Sequence, residues 1–133
     1  MKVAVIGSGG REHAICVSLK QSKKVKKIYC IPGNAGTNLI AENIEINIDN
    51  FEEIKDFSLE NKIDLIIVGP EKPLVNGIVD YLKDFNIKTF GPNKIASKLE
   101  GSKIFTKNLC KKYKIPTAKF GVFKSLEDRK SVV

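Results

Sequence analysis

At 133 residues, 42% of them apolar, the chain suits one globular domain with its own core and at most the opening of a second. Its net charge of +8 is uneven, because residues 1–97 carry 13 basic and 12 acidic side chains while residues 98–133 carry 10 and 3. No apolar run approaches the roughly 20 residues of a membrane span, a glycine-rich turn interrupts any signal-peptide pattern, and three scattered cysteines with a single histidine argue against a disulfide framework or a zinc site, so a cytoplasmic protein with no membrane partner is expected.

Lys2–Ile6 reads as a strand buried on both faces, broken at once by Gly7-Ser8-Gly9-Gly10. A helical pattern from Arg11 to about Ser22 follows, with Ala14, Ile15 and Leu19 on its apolar face. A strand, a glycine-rich turn and a helix form an arrangement that can cradle an anion, because the glycines admit close approach and the helix N-terminus offers unpaired N–H groups. Lys27–Ile31 predicts a second strand, ended by Pro32-Gly33-Asn34-Ala35-Gly36-Thr37. Ile44, Ile46 and Ile48 alternate with polar residues, as a half-exposed strand would. Asp49 or Asn50 can cap a helix from Phe51 to about Asn61, with Ile54, Phe57 and Leu59 inward.

Asp64–Val68 is apolar enough for a central parallel strand and ends in Gly69-Pro70-Glu71-Lys72-Pro73. Leu74–Phe85 reads as one helix, and Lys88–Phe90 as a strand ended by Gly91-Pro92-Asn93. Two helices, Lys94–Leu99 and Ser102–Tyr113, come next. Ala118–Phe123 alternates like a strand, and Ser125-Leu126-Glu127-Asp128 resembles the start of a capped helix.

Four strands that each finish in a glycine-containing turn, most followed by a helix, imply an α/β fold with a doubly wound, mostly parallel sheet. All four turns then lie on its carboxyl edge, where ligands bind at the switch point. The expected organisation is an α/β substrate-binding domain over residues 1–93, a helical linker over 94–117, and over 118–133 the truncated start of another domain.

A dinucleotide site is the obvious candidate for Gly7-x-Gly9, but it fails twice. The third glycine of the fingerprint is replaced by Glu12, and no acidic residue stands between Glu12 and Glu42 to hold a ribose. No Gly-Lys-Ser/Thr follows, so a Walker loop fails as well. In the basic segment Phe105, Tyr113, Phe120 and Phe123 are spaced for a core rather than for base stacking, which speaks against a nucleic-acid partner. His13 either meets ligand or packs beside the turn. Glu71, held between Pro70 and Pro73, is either a partner for a helix dipole or a carboxylate for sugar hydroxyls. A nucleotide-binding module of Rossmann type and a non-catalytic basic domain stay open at this point.

Gly7-Ser8-Gly9-Gly10-Arg11-Glu12-His13-Ala14 closely resembles the N-terminal signature of the phosphoribosylamine–glycine ligase family, also called glycinamide ribonucleotide synthetases. Pro32–Thr37, Val68-Gly69-Pro70-Glu71, Phe90-Gly91-Pro92, Leu99–Lys103 with Phe105-Thr106-Lys107, and Ile115–Ala118 match the same family in order. The resemblance covers about residues 1–120 and only the first part of the family's length. It implies a Rossmann-like domain that precedes an ATP-grasp domain. It also implies an ATP- and Mg²⁺-dependent ligase of purine biosynthesis that joins glycine to 5-phosphoribosylamine through a glycyl phosphate.

Carried over residue by residue, the resemblance implies that Gly7, Ser8, Gly9, Gly10, Arg11 and Glu12 line a ribonucleotide crevice. Asn34 and Gly36 would form a second wall, and Glu71, after Gly69 and Pro70, would hold the ribose hydroxyls. Lys103, and less strongly Lys107, would reach the phosphates of ATP. No catalytic residue and no Mg²⁺ ligand is assignable within the chain, and this portion alone is expected to be inactive.

Overall fold

The computed structural model describes residues 1–123; the helix start expected at Ser125 lies outside them. The chain divides into two compact units, Met1–Ser97 and a second beginning at Lys98.

The first unit is built on five parallel strands: β1 (Lys2–Gly7), β2 (Lys27–Pro32), β3 (Glu42–Asn43), β4 (Leu65–Val68) and β5 (Thr89–Phe90). Their order is β3-β2-β1-β4-β5, with Lys2 opposite Lys27 and Val3 opposite Leu65. The order reverses direction between β1 and β4, so the sheet is doubly wound and the switch point lies where β1 and β4 end. Side chains of β1 alternate between two cores, as a strand covered on both faces requires. Val5 packs with Cys16, Ile28 and Cys30 beneath α1 (Gly10–Lys20). Ala4 and Ile6 join Ile31, Ile54, Ile66, Ile78 and Leu82 on the other face, beneath α2 (Phe51–Glu60) and α4 (Ile78–Lys83). Each fully buried isoleucine or leucine contributes about 1.5–3 kcal/mol over its exposed state.

Several elements differ from the sequence expectation. The alternating isoleucines do not extend a strand. β3 is only two residues long, and Ile44, Ile46 and Ile48 turn into the core from an irregular segment. The expected helix over Leu74–Phe85 is two short helices, α3 (Glu71–Asn76) and α4, because Gly77 takes a left-handed φ of 98° between them. Leu59 and Phe85 are exposed, whereas Ser58 is buried with its hydroxyl donating to the Ile54 carbonyl at 2.6 Å. The inward face of α1 is Glu12, Ile15, Cys16 and Leu19, and Ala14 is outside. Asn50 caps α2 as expected, accepting from the Glu53 N–H at 3.2 Å.

α5 (Lys94–Gly101) leads out of the first unit, and its amide at Lys94 donates to Asp80 at 2.7 Å. In the second unit, α6 (Lys103–Lys112) is capped by Ser102, whose hydroxyl accepts from the Phe105 N–H. Residues 118–123 form no strand; the alternation alone supplies no partner for the ladder groups a strand requires. No helix among the described residues is long and apolar enough to cross a membrane.

Candidate functional site

Two of the glycine turns face each other at the switch point. The turn after β1 runs through Gly7-Ser8-Gly9 into α1, and the turn after β4 runs through Gly69-Pro70 into α3. Between them lies an open cleft of about 550 Å³, a volume within the usual range for a small-molecule site. Gly7 through Glu12 form one wall, Pro70, Glu71 and Lys72 the other, and Ile48 contributes an apolar patch.

Hydrogen bonds across the switch point fix the first wall. Arg11 Nη1 donates to the carbonyl oxygen of Gly69 at 2.6 Å, joining the first turn of α1 to the opposite turn. Gly9 is the N-cap of α1, and its N–H donates to Glu12 Oε2 at 2.6 Å. This is one half of a capping box; the other half needs a side chain that Gly9 lacks. Glu12 is only 5% exposed, so its carboxylate lies under the turn, with just an edge on the cleft. Three glycines make room for it. A Cβ at Gly7 would stand 2.7 Å from Glu12 Cδ, one at Gly9 would stand 2.9 Å from Oε2, and one at Gly69 would overlap Oε1.

Asn34 and Gly36 lie behind this wall rather than across the cleft from it. Asn34 Nδ2 donates to the Ser8 carbonyl at 2.7 Å, and Asn34 Oδ1 accepts from the Thr37 N–H at 2.9 Å. The Thr37 hydroxyl, fully buried, accepts from the Asn34 N–H, and Asn43 Nδ2 donates to the Asn34 carbonyl. The turn after β2 is thereby knotted to itself and clamped onto the turn after β1. Gly36 sits against the His13 ring; a Cβ there would stand 3.4 Å from it. The wall facing Gly7–Glu12 comes instead from Pro70–Lys72.

Glu71 is the first residue of α3 and is exposed to the cleft. Beside it, Lys72 Nζ pairs with Asp49 Oδ2 at 2.5 Å. Ile48 and Lys72 are lining residues that motif reasoning did not single out. Lys72 adjoins Glu71 in the Gly-Pro-Glu-Lys-Pro turn, and Ile48 ends the alternating isoleucines, so both signals were present but pointed to other roles.

Below the site, Cys16 and Cys30 are fully buried, and hydrogen bonding to Cys30 together with burial pushes the Cys16 thiol far above the ordinary range. Cys30 is shifted the other way, its thiol lowered chiefly by its hydrogen bond with Cys16, and both cysteines are free and shut into the core. Among the described residues, no group of three or more His, Cys, Asp or Glu side chains is placed to hold a metal ion.

Lys103 and Lys107 belong to the second unit. Lys103 opens α6 and is exposed; Lys107 Nζ donates to Thr117 Oγ1 at 2.6 Å and to the Ala118 carbonyl at 3.2 Å.

Comparison with known proteins gives a consistent pattern. Residues 1–100 match the family model described as phosphoribosylglycinamide synthetase, N domain. Over 123 residues the chain is 54% identical to a phosphoribosylamine–glycine ligase of Caldanaerobacter subterraneus subsp. tengcongensis, covering 92% of this chain and 30% of that protein. It is 48% identical over 128 residues to the Clostridium acetobutylicum protein of the same name, covering 96% and 31%. A crystal structure of phosphoribosylamine–glycine ligase from Thermotoga maritima matches with a TM-score of 0.70 at 30% identity, covering 99% of this chain and 30% of that one. The chain thus spans about 30% of the length of the relatives it matches.

Proposed function

The chain belongs to the phosphoribosylglycinamide synthetase N-domain family, and on that footing we propose that it supplies the ribonucleotide-binding part of a ligase joining glycine to 5-phosphoribosylamine in purine biosynthesis, a cytoplasmic reaction. In that reaction the glycine carboxylate attacks the γ-phosphorus of ATP, releasing ADP and leaving a glycyl phosphate. The amine of phosphoribosylamine then attacks the acyl carbon, the C–N bond forms and inorganic phosphate departs. Residues 1–93 act as the substrate-binding domain, 94–117 as a linker, and the segment from 118 opens the ATP-binding domain.

The observation that carries this reading is the cleft between the two glycine turns, where Glu71 faces the Gly7–Arg11 wall across the switch point. Its volume suits a pentose phosphate, and an exposed carboxylate at that place accepts hydrogen bonds from vicinal hydroxyls, each stronger than a neutral pair. The backbone of Ser8–Gly10 contributes shape, held by Asn34 and Arg11.

The described residues fit ATP only in part. Lys103, exposed at the start of α6, is free to approach an anionic phosphate, whereas Lys107 is already engaged by Thr117 and Ala118. ATP supplies the phosphoryl group that activates the carboxylate. They do not fit Mg²⁺, since no cluster of three or more His, Cys, Asp or Glu side chains is placed among them to hold it.

The test is a reaction with the protein that carries this chain together with the remaining length found in its relatives. Glycine, ATP and 5-phosphoribosylamine together should yield glycinamide ribonucleotide, ADP and phosphate, with ADP release dependent on glycine. A well-folded protein that forms no product from the three would overturn the assignment.

A further inference from the structure

The N-terminus of α1 is where the sequence pattern places a phosphate, yet a carboxylate of the chain itself already stands there. Glu12 Oε2 holds the Gly9 N–H at 2.6 Å, and the side chain is nearly buried in a slot walled by Gly7, Gly9 and Gly69. Those glycines leave the carboxylate space, so it sits under the turn without strain. Glu12 also occupies the position of the third glycine in the dinucleotide fingerprint, the one that lets helix and strand close up beneath a pyrophosphate.

The positively charged side chains of the cleft are already partnered. Arg11 has turned its guanidinium to the Gly69 carbonyl, and Lys72 is paired with Asp49. Glu71, on the opposite wall, is a second carboxylate. Two carboxylates, Glu12 and Glu71, thus line the cleft, and each of its two cations already holds a partner, the Gly69 carbonyl for Arg11 and Asp49 for Lys72.

We propose that Glu12 is a specificity-determining residue: its carboxylate substitutes for a bound anion at the α1 N-terminus, so the Gly7–Gly10 turn rejects phosphate, and a phosphorylated sugar enters with its hydroxyl and amine end toward the floor and its phosphate away from the turn. The orientation of the sugar rests on the ribonucleotide reading above; the rejection of phosphate does not. Two anions within about 4 Å of each other in a partly desolvated site repel strongly enough to weaken binding by tenfold or more.

The experiment follows backbone amide shifts of Gly9, Gly10 and Arg11 in the ¹⁵N-labelled chain as inorganic phosphate, pyrophosphate, NAD and ribose 5-phosphate are added. In the wild type, phosphate, pyrophosphate and NAD leave these amides unmoved. Glu12→Gln keeps an oxygen for the Gly9 N–H and removes the charge, so pyrophosphate should bind it at least about tenfold more tightly through the same amides. Glu12→Asp retains the charge and should still reject the anion. Ribose 5-phosphate should shift Glu71 and Lys72, with no displacement at Gly9 beyond that caused by ribose alone. A saturable, phosphate-dependent shift at Gly9 in the wild type overturns the proposal whatever the variants do, and so does equal pyrophosphate affinity in wild type and Glu12→Gln. If ribose 5-phosphate leaves the whole cleft unmoved while Glu12→Gln gains pyrophosphate, the ribonucleotide reading fails and the rejection stands.

Discussion

Arg11 Nη1 donates to the carbonyl oxygen of Gly69 at 2.6 Å, a bond between residues 58 apart in sequence that joins the two turns forming the cleft. It sets the separation of the walls by drawing the first turn of α1 toward the end of β4. A guanidinium bond of this kind is worth about 1.5–3 kcal/mol when buried and less at a partly exposed site. Arg11→Ala should lower stability by about 1 kcal/mol and loosen the cleft. Arg11→Lys should restore the bond only in part, because an ammonium is a more strongly hydrated charge on a flexible stem. Thermal unfolding of the chain, with ribosyl-substrate KM measured in the longer protein, checks both parts.

Asn34 is a clamp between two turns. Its amide donates to Ser8 and its oxygen accepts from Thr37, so both ends of the side chain are used. Asn34→Asp keeps the Thr37 bond, loses the donor and sets a carboxylate against the Ser8 carbonyl. It should destabilise by about 1–3 kcal/mol, as a polar group left facing a wrong partner does. Asn34→Ala should lie in the same range. A melting temperature unchanged in both variants would show that the clamp does not contribute.

Gly69 and Glu12 should be energetically coupled. A Cβ at Gly69 would overlap Glu12 Oε1, so Gly69→Ala forces the carboxylate out of its slot at about 1–3 kcal/mol, the usual range for overpacking. Glu12→Ala removes the obstacle, and the double variant should be more stable than the sum of the single effects predicts. Denaturant unfolding of the four proteins gives the coupling directly, and additive effects would contradict the slot.

The sheet was legible because β1, β2 and β4 are short apolar runs ended by glycine turns and separated by helical patterns, as a parallel sheet covered on both faces requires. The strand expected at Ile44–Ile48 was misleading for a physical reason. Alternation reports which side chains face inward, and three isoleucines can do so without a hydrogen-bonded neighbour. Gly77 within a helical pattern gave no sign of its left-handed backbone, so one helix was expected where two form. The inward turn of Glu12 was the hardest to foresee, since a charged residue is rarely buried unless partnered. Its partner is a backbone N–H, and the space comes from glycines at the ends of β1 and β4 and in the turns after them, whose proximity only the fold reveals.

The cysteines should report burial through their reactivity. Cys16 and Cys30 are fully buried, and the Cys16 thiol is held far above its ordinary range, so it carries no thiolate at neutral or mildly alkaline pH. Cys110 is partly exposed. An aromatic disulfide reagent should label Cys110 alone in the native chain at pH 8 and all three cysteines in denaturant. Rapid native labelling of Cys16 would contradict the packing beneath α1.

Glu71 separates binding from folding. It stands at the first position of a short helix and is exposed, so neutralising it touches only a weak interaction with the helix end, about 0.3–1 kcal/mol at most. If its carboxylate accepts from ribose hydroxyls, those bonds exist in ground state and transition state alike, because no bond to the hydroxyls forms or breaks in the reaction. Their loss therefore appears in KM and not in kcat. Glu71→Gln retains an acceptor but loses the charge assistance, worth about 1.5–3 kcal/mol for the pair of bonds, or roughly 10- to 100-fold in KM for the ribosyl substrate. Glu71→Ala should raise KM further with the same kcat. The KM values for glycine and ATP should stay as they were, since neither is held by this carboxylate. A fall in kcat with unchanged KM would instead place Glu71 at the reacting atoms and move the amine of the substrate to that wall.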